Sequence, residues 1–347
     1  MIPDTASQTL PRGIQLLRTA GMKLAAGGAS FYFTHPQRVV AELPPDLAMI
    51  SQDVYRPAAD GARLHAIWVP GRDSRDGRAH DRTIVHSHGF NGSAGVLMAR
   101  NAFYQRGILR LTGPEDAAPL VAWPLVYSAL DRGYNLLLVD ARAHGRSGGR
   151  WDTTGVKAMS DLMGWVTWLR NAHDQLWVGL WGNSFGASIG LGLATRPVGG
   201  GFEAMVLDSP AVVADGLYSG VLQEPLYGAI QPVIRHLANP ELIRRIETEH
   251  VWMPLLLIHG EADTHVPVWH SQLVYQLVRD PDEPERTDLW LVPDAGHLEA
   301  LEVAPEAYVQ RTLDWFDKWF GSASPHAHSL VASPARPVMG PWGGETW

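Results

Sequence analysis

Gly182-Asn183-Ser184-Phe185-Gly186 carries the most specific chemistry in the chain. The pattern G-x-S-x-G is common by chance. Here it follows a tryptophan-bearing apolar run, Leu176–Trp181, and precedes a small-residue helical run, Ala187–Thr195. A strand that turns sharply into a helix at a serine lifts the hydroxyl above the sheet in strained geometry. It also places that serine at a helix N-terminus, where backbone N–H groups and the dipole favour developing negative charge. Glycine two positions either side leaves room for the turn and for close helix packing. Serine is a poor nucleophile alone, so this chemistry requires a histidine base and an acid that orients it. His86 and His88 stand at i, i+2 like a metal pair, yet no further Asp-His completes a metallohydrolase pattern.

The elements that must position such a serine alternate along the chain. Apolar runs predict strands near Ser51–Arg56 and at Leu64–Val69, Thr83–Ser87, Asn135–Val139, Leu176–Trp181, Ala204–Leu207, Pro254–Ile258 and Asp288–Val292. Asn135–Val139 and Pro254–Ile258 are apolar throughout, as in a parallel sheet covered on both faces. Helical patterns at Pro124–Asp131, Val156–Asn171, Ala187–Thr195, Val266–Val278 and Pro305–Phe320 separate them. The alternation predicts an α/β layered fold with right-handed crossovers. Most of the 14 tryptophans lie at helical or strand spacing and read as core.

Composition narrows the function further. With 347 residues the chain is long enough for two domains at roughly 150 residues each. Hydrophobic residues make up 46% and charged ones 18%, enough for a large core. The 36 acidic against 28 basic residues give a net charge of -8 without a basic stripe, so nucleic acid is not an expected partner. The chain has no cysteine, which excludes disulfides, thiolate metal sites and a cysteine nucleophile. In residues 14–33 the apolar stretch is interrupted by Arg18 and Lys23, so neither a signal peptide nor an integral membrane span is expected. A short helix docked on the domain is the expectation there, with peripheral membrane contact through residues 14–33 as the alternative. A cytoplasmic protein follows.

Five motifs in order resemble the α/β-hydrolase superfamily, in its serine-hydrolase branch of monoacylglycerol lipases, lysophospholipases and serine-aminopeptidase-like enzymes. They are His88-Gly89-Phe90-Asn91-Gly92, the stretch from Asp140 through His144 and Ser147 to Gly149, Gly182–Gly186, the stretch from His259 through Asp263 to Pro267, and Asp294-Ala-Gly-His297. The resemblance spans Val54–Phe320. It implies a mostly parallel eight-stranded sheet flanked by helices, with a cap insertion. It also implies a catalytic triad of Ser184, His297 and Asp263, and oxyanion donors in the backbone N–H groups of Phe90 and Phe185. Asp208 is the alternative acid, with Glu261 and Asp294 weaker. His144 is expected to be structural, and His265 either to line the pocket rim or simply to be exposed. No cofactor and no metal are implied.

The expected organisation is an N-terminal extension (1–50), one α/β-hydrolase catalytic domain (51–320) and a flexible tail (321–347). Two inserts interrupt the domain, 94–119 beside the oxyanion loop and a cap at 211–250. Leu217, Tyr218, Val221, Leu222, Leu226 and Tyr227 are expected to form the cap's apolar inner face. The implied activity is hydrolysis of carboxylic esters or thioesters through an acyl-serine intermediate, acting on a small-molecule ester or acyl substrate. A small serine peptidase or amidase is the alternative, and a non-catalytic binding protein of the same fold stands behind it.

Overall fold

The computed structural model describes residues 42–71, 81–98, 120–152, 155–220, 226–235, 240–251 and 253–321, with scattered positions between 21 and 40. The expected tail beyond 321, most of the insert at 94–119 and parts of the cap lie outside the described residues.

Ten strands follow one another: β1 Gln52–Pro57, β2 Arg63–Val69, β3 Arg82–Ser87, β4 Val96–Met98, β5 Leu120–Val121, β6 Asn135–Asp140, β7 Trp177–Asn183, β8 Ala204–Asp208, β9 Leu255–Gly260 and β10 Thr287–Val292. Eight form one sheet in the order β1-β2-β6-β3-β7-β8-β9-β10. β2 runs antiparallel to both its neighbours, and the pairs from β6 to β10 are all parallel. This is the mostly parallel eight-stranded sheet that the resemblance implies. β4 and β5 pair antiparallel outside it, so the two ends of the 94–119 insert meet.

Side chains alternate across the strands. Val85, Leu137, Leu180, Leu207 and Leu257 join one core, with Leu162, Trp165 and Leu169 of α3 (Val156–His173) and Ala187 and Leu191 of α4 (Phe185–Ala194). Ile84, Leu136, Leu138, Val206 and Ile258 join the other. There they meet Leu125 and Ala129 of α2 (Trp123–Asp131), and Tyr308, Leu313 and Phe316 of α9 (Pro305–Trp319). A parallel sheet is stable only when both faces are covered in this way. α7 (Trp269–Val278) lies beside β9 and β10, and α8 (Ala300–Val303) precedes α9.

The chain enters through α1 (Pro45–Ile50), within the stretch expected as an extension; its Leu47 is fully buried in the second core. Farther upstream the docked-helix expectation is not met where positions are described. Leu24 is 79% exposed and Phe31 55% exposed. Among its described residues, the 211–250 segment expected as a cap contains α5 (Leu226–Arg235) and α6 (Pro240–Thr248). Its buried residues differ from those expected. Leu217 is buried, and so are Ile230 and Ile234, one turn apart on α5, and Leu242 and Ile246, one turn apart on α6. Leu242 and Ile246 belong to the first core. Val221 and Leu222 lie outside the described residues.

Candidate active site

Ser184 sits where β7 ends and α4 begins, with φ 50° and ψ -108°. A left-handed backbone at a residue other than glycine is strained. What forces it is the closeness of the neighbouring elements. A Cβ on Gly186 would lie 2.0 Å from the Ser87 carbonyl oxygen, and one on Gly182 would lie 2.8 Å from the Gly186 carbonyl oxygen. The turn is held by the Ser184 N–H, which donates to the Asp208 carbonyl at 2.8 Å and so carries the β7–β8 ladder one step past the strand. Asn91, Ala143, Ser209, Tyr218, Asp294 and Leu298 also have positive φ. All lie in the loops that follow the C-terminal ends of the strands, so backbone strain concentrates on one edge of the sheet.

The structure brings Ser184, His297 and Asp263 together. His297 Nε2 is 2.9 Å from Ser184 Oγ, and His297 Nδ1 is 2.6 Å from Asp263 Oδ2. Nδ1 therefore carries the proton donated to the carboxylate, and Nε2 is left to accept from the serine hydroxyl. Asp263 Oδ1 accepts from the backbone N–H groups of His265 at 2.8 Å and Val266 at 2.9 Å. His259 Nε2 is a further donor, 3.2 Å from Asp263 Oδ2 and 2.9 Å from the Val266 carbonyl. Burial alone would raise the Asp263 carboxyl, but His297 and His259 hold it well below the usual carboxylate range. For His297, burial opposes protonation, yet Asp263, then Asp208 and Glu299, raise it above its ordinary value.

The competing acids are placed elsewhere. Asp208 is fully buried, and its carboxylate accepts from Tyr308 Oη and Ser209 Oγ, each at 2.9 Å. Burial pushes it up to about 6, against the lowering effect of those two hydroxyls. Trp181 Nε1 donates to the same Tyr308 oxygen at 2.9 Å. Glu261 and Asp294 are exposed.

On the other side of Ser184 runs the loop after β3. Gly89 lies against the serine, so that a Cβ there would be 3.3 Å from Ser184 Cβ. His88 Nδ1 donates to the Gly89 carbonyl at 2.7 Å, while its Nε2 accepts from the Ala141 N–H at 3.0 Å. Because a trans peptide points its C=O and N–H in opposite directions, fixing the Gly89 carbonyl also fixes the direction of the Phe90 N–H. Phe185, across from it, opens α4, where first-turn N–H groups have no carbonyl one turn earlier. Burial pushes His88 below its ordinary value, in keeping with a neutral ring that donates from one nitrogen and accepts at the other. His86 Nε2 meets Asn183 Oδ1 at 2.9 Å, and among the described residues no group of three or more acids and histidines could hold a metal.

Some residues at this site carry no signal in the sequence. Trp151 packs between the rings of Phe90 at 5.3 Å and Phe185 at 4.5 Å, with the buried His144 ring 4.9 Å away. His144 Nδ1 donates to the Arg142 carbonyl, 3.0 Å away. Asp140 ties the loop after β6 to the loop after β3: Oδ1 accepts from the Ala94 N–H at 2.7 Å and Oδ2 from the Arg146 N–H at 2.8 Å. The buried His65 ring bridges Asp140 Oδ2 at 2.7 Å and Asp53 Oδ1 at 2.8 Å. Burial opposes its charge, but these two carboxylates raise it above the ordinary value. His265 is half-buried rather than simply exposed, and its ring stacks on His297.

Comparison with known proteins finds relatives of the same fold. The uncharacterized protein YfhR of Escherichia coli (strain K12) is 28% identical over 256 residues, covering 72% of this chain and 75% of YfhR. The esterase Pf2001 of Pyrococcus furiosus superposes with a TM-score of 0.61 at 25% identity, covering 83% of this chain and 100% of the esterase. The acylaminoacyl peptidase of Pyrococcus horikoshii shares the fold with a TM-score of 0.54 at 15% identity, covering 78% of this chain and 41% of that one. The model of the prolyl oligopeptidase family matches residues 122–323. With that match across more than half its length, and with an eight-stranded sheet ending in a strained serine turn, the chain belongs to the prolyl oligopeptidase family of α/β hydrolases.

Proposed function

We propose that this hydrolase cleaves carboxylic esters or thioesters through an acyl-serine intermediate. The observation that carries the reading is the unbroken relay of Ser184 Oγ, His297 and Asp263, at 2.9 Å and 2.6 Å, beside a loop whose peptide at Gly89–Phe90 is pinned in direction. In the acylation step, Ser184 Oγ attacks the acyl carbonyl and its proton passes to His297 Nε2. The oxyanion is held by the backbone N–H groups of Phe90 and Phe185. Collapse breaks the acyl–oxygen or acyl–sulfur bond, and the proton on His297 goes to the leaving group. Water then takes the place of the leaving group and attacks the acyl-serine, giving a proton to His297; the acyl–Oγ bond breaks, His297 returns that proton to Ser184 Oγ, and the acid is released.

An uncharged ester suits the site better than a peptide with a free carboxylate. The charged groups that act most on His297 are Asp263, Asp208 and Glu299, all acids, and no cation is among them. The likeness to an esterase at 25% identity supports the same reading. The family match keeps peptide or amide cleavage as the second reading. A fluorophosphonate probe, nitrophenyl esters of graded acyl length and aminoacyl nitroanilides distinguish them. Wild type is expected to label and to turn over esters faster than nitroanilides, and Ser184→Ala to lose at least about a thousandfold in rate while keeping the fold. Absence of labelling would remove the enzyme reading, and preference for nitroanilides would replace esterase with peptidase.

A further inference from the structure

The loop that supplies Asp263 does more than present a carboxylate. The cap's entry segment lies along it in the opposite chain direction. A Cβ on Gly216 would be 3.3 Å from Pro267 Cγ, and one on Gly220 would be 2.8 Å from Thr264 Cβ. Between them the Tyr218 N–H donates to the His265 carbonyl at 2.7 Å. His265 is therefore held at both ends of its backbone, by Tyr218 on one side and by the bond from its own N–H to Asp263 Oδ1 on the other. Its ring has neighbours on two sides. The His297 ring is stacked on it at 5.4 Å with an interplanar angle of 28°, and the Tyr218 ring meets it edge-on at 5.7 Å and 76°. Tyr218 takes up this place with φ 61°, a strained conformation for so bulky a residue.

We propose that His265 is a positioning residue for the base: its ring holds the face of His297 so that Nδ1 stays on Asp263 and Nε2 on Ser184, and Tyr218 ties that ring to the cap. The inference rests on the reading of His297 as the base. Three physical points support it. The ring that orients His297 face-on is anchored to the same carboxylate that orients it edge-on, so the two constraints move together. When Ser184 gives up its proton, His297 becomes a planar cation lying over an aromatic face, an arrangement that attracts. Burial and the neighbouring His297 hold His265 down at about 4, so at working pH it faces that cation as a neutral ring and not as a second charge.

A residue that only fills space would accept any side chain of similar bulk, whereas a positioning ring must be flat. The test compares His265→Phe, His265→Leu and His265→Ala in steady-state hydrolysis of a nitrophenyl ester, with wild type and Ser184→Ala in the same assay. Phe is expected to keep kcat within about threefold of wild type. Leu and Ala are expected to lose about tenfold in kcat, with KM within about twofold, because the base is misplaced after substrate has bound. The rate of fluorophosphonate labelling should fall in parallel. Leu performing as well as Phe would overturn the proposal, since packing alone would then suffice. So would an Ala variant with unchanged kcat, or a loss confined to KM. If Ala does not fold, the Leu and Phe pair decides. A wild type that is inert, or active independently of Ser184, would instead overturn the assignment of the base on which this inference rests.

Discussion

Replacing Asp263 by Asn removes one charge and almost no volume, and the consequence can be worked out atom by atom. Four N–H donors converge on this carboxylate: the backbone groups of His265 and Val266 on Oδ1, and the rings of His297 and His259 on Oδ2. An amide has one acceptor oxygen and one NH2 group, so two of the four donors must meet another donor in either orientation. If the oxygen faces the backbone pair, the NH2 faces His297 Nδ1. The imidazole must then take the other tautomer, with a proton on Nε2 aimed at Ser184, and it can no longer accept the serine proton. If the oxygen faces the rings, two backbone donors at the turn lose their acceptor and the loop carrying His265 shifts. For a triad forced into the wrong tautomer the expected loss in kcat is about ten-thousandfold, about 5.4 kcal/mol at 1.36 kcal/mol per decade. Initial rates on a nitrophenyl ester, with thermal melting to verify the fold, make the measurement. A variant within tenfold of wild type would refute the reasoning. Asp208→Asn is the control. Its carboxylate is engaged by Tyr308 and Ser209, so its loss in rate should be far smaller. The reverse ranking would move the acid from Asp263 to Asp208.

His297 must be neutral to accept a proton, and its neighbours raise it above the ordinary imidazole value near 6.5. kcat/KM should therefore rise with pH through a midpoint above about 6.5, and a pH–rate profile with a lower midpoint would contradict that environment. Stability should run the opposite way across the same window. His65 and His297 are both raised, so their contribution is complete below about 6.5 and is lost as pH rises through the folded values. The lowered histidines, His86, His88, His144, His173, His265 and His270, give the opposite slope near their unfolded value of about 6.5 and are neutral in both states only from about pH 7.5. Urea unfolding that shows no decline above about pH 7.5 would count against the raised assignments. Gly186→Ala would drive a Cβ to 2.0 Å from the Ser87 carbonyl oxygen, backbone against backbone with no flexible atom to yield. It should cost at least about 3 kcal/mol on the scale of severe overpacking and abolish labelling of Ser184; unchanged urea unfolding and labelling would refute the crowding.

The sheet was legible because a strand covered on both faces must be apolar along its whole length, as Asn135–Val139 and Pro254–Ile258 are. Ser184 was legible for a similar reason: only glycine fits at 182 and 186, and that necessity leaves a fixed spacing in the sequence. The cap was less so. α5 contains Pro232 and α6 opens on Pro240, which break the helical pattern and hide the spacing of the buried pairs Ile230/Ile234 and Leu242/Ile246. The stacking of His265 on His297, the place of Trp151 and the pairing of Tyr308 with Asp208 could not be read in advance. Their roles depend on rings and hydroxyls brought together from positions as much as a hundred residues apart, and no spacing rule records such a meeting.

The order of strands in the sheet also bears on how the molecule comes into being. Once β3 and β6 are paired, β7, β8, β9 and β10 join successively at one edge, in the order in which a ribosome would deliver them. The serine turn is thus translated well ahead of Asp263 and His297, and Tyr308, which braces Asp208 beneath it, comes later still. A nascent chain that has reached β8 can form the β7–β8 ladder around Ser184 while the imidazole that activates it has yet to be made. On the proposed mechanism, reactivity would therefore arrive only with the closing edge of the sheet, and a truncated translation product would carry the proposed nucleophile without its proposed base.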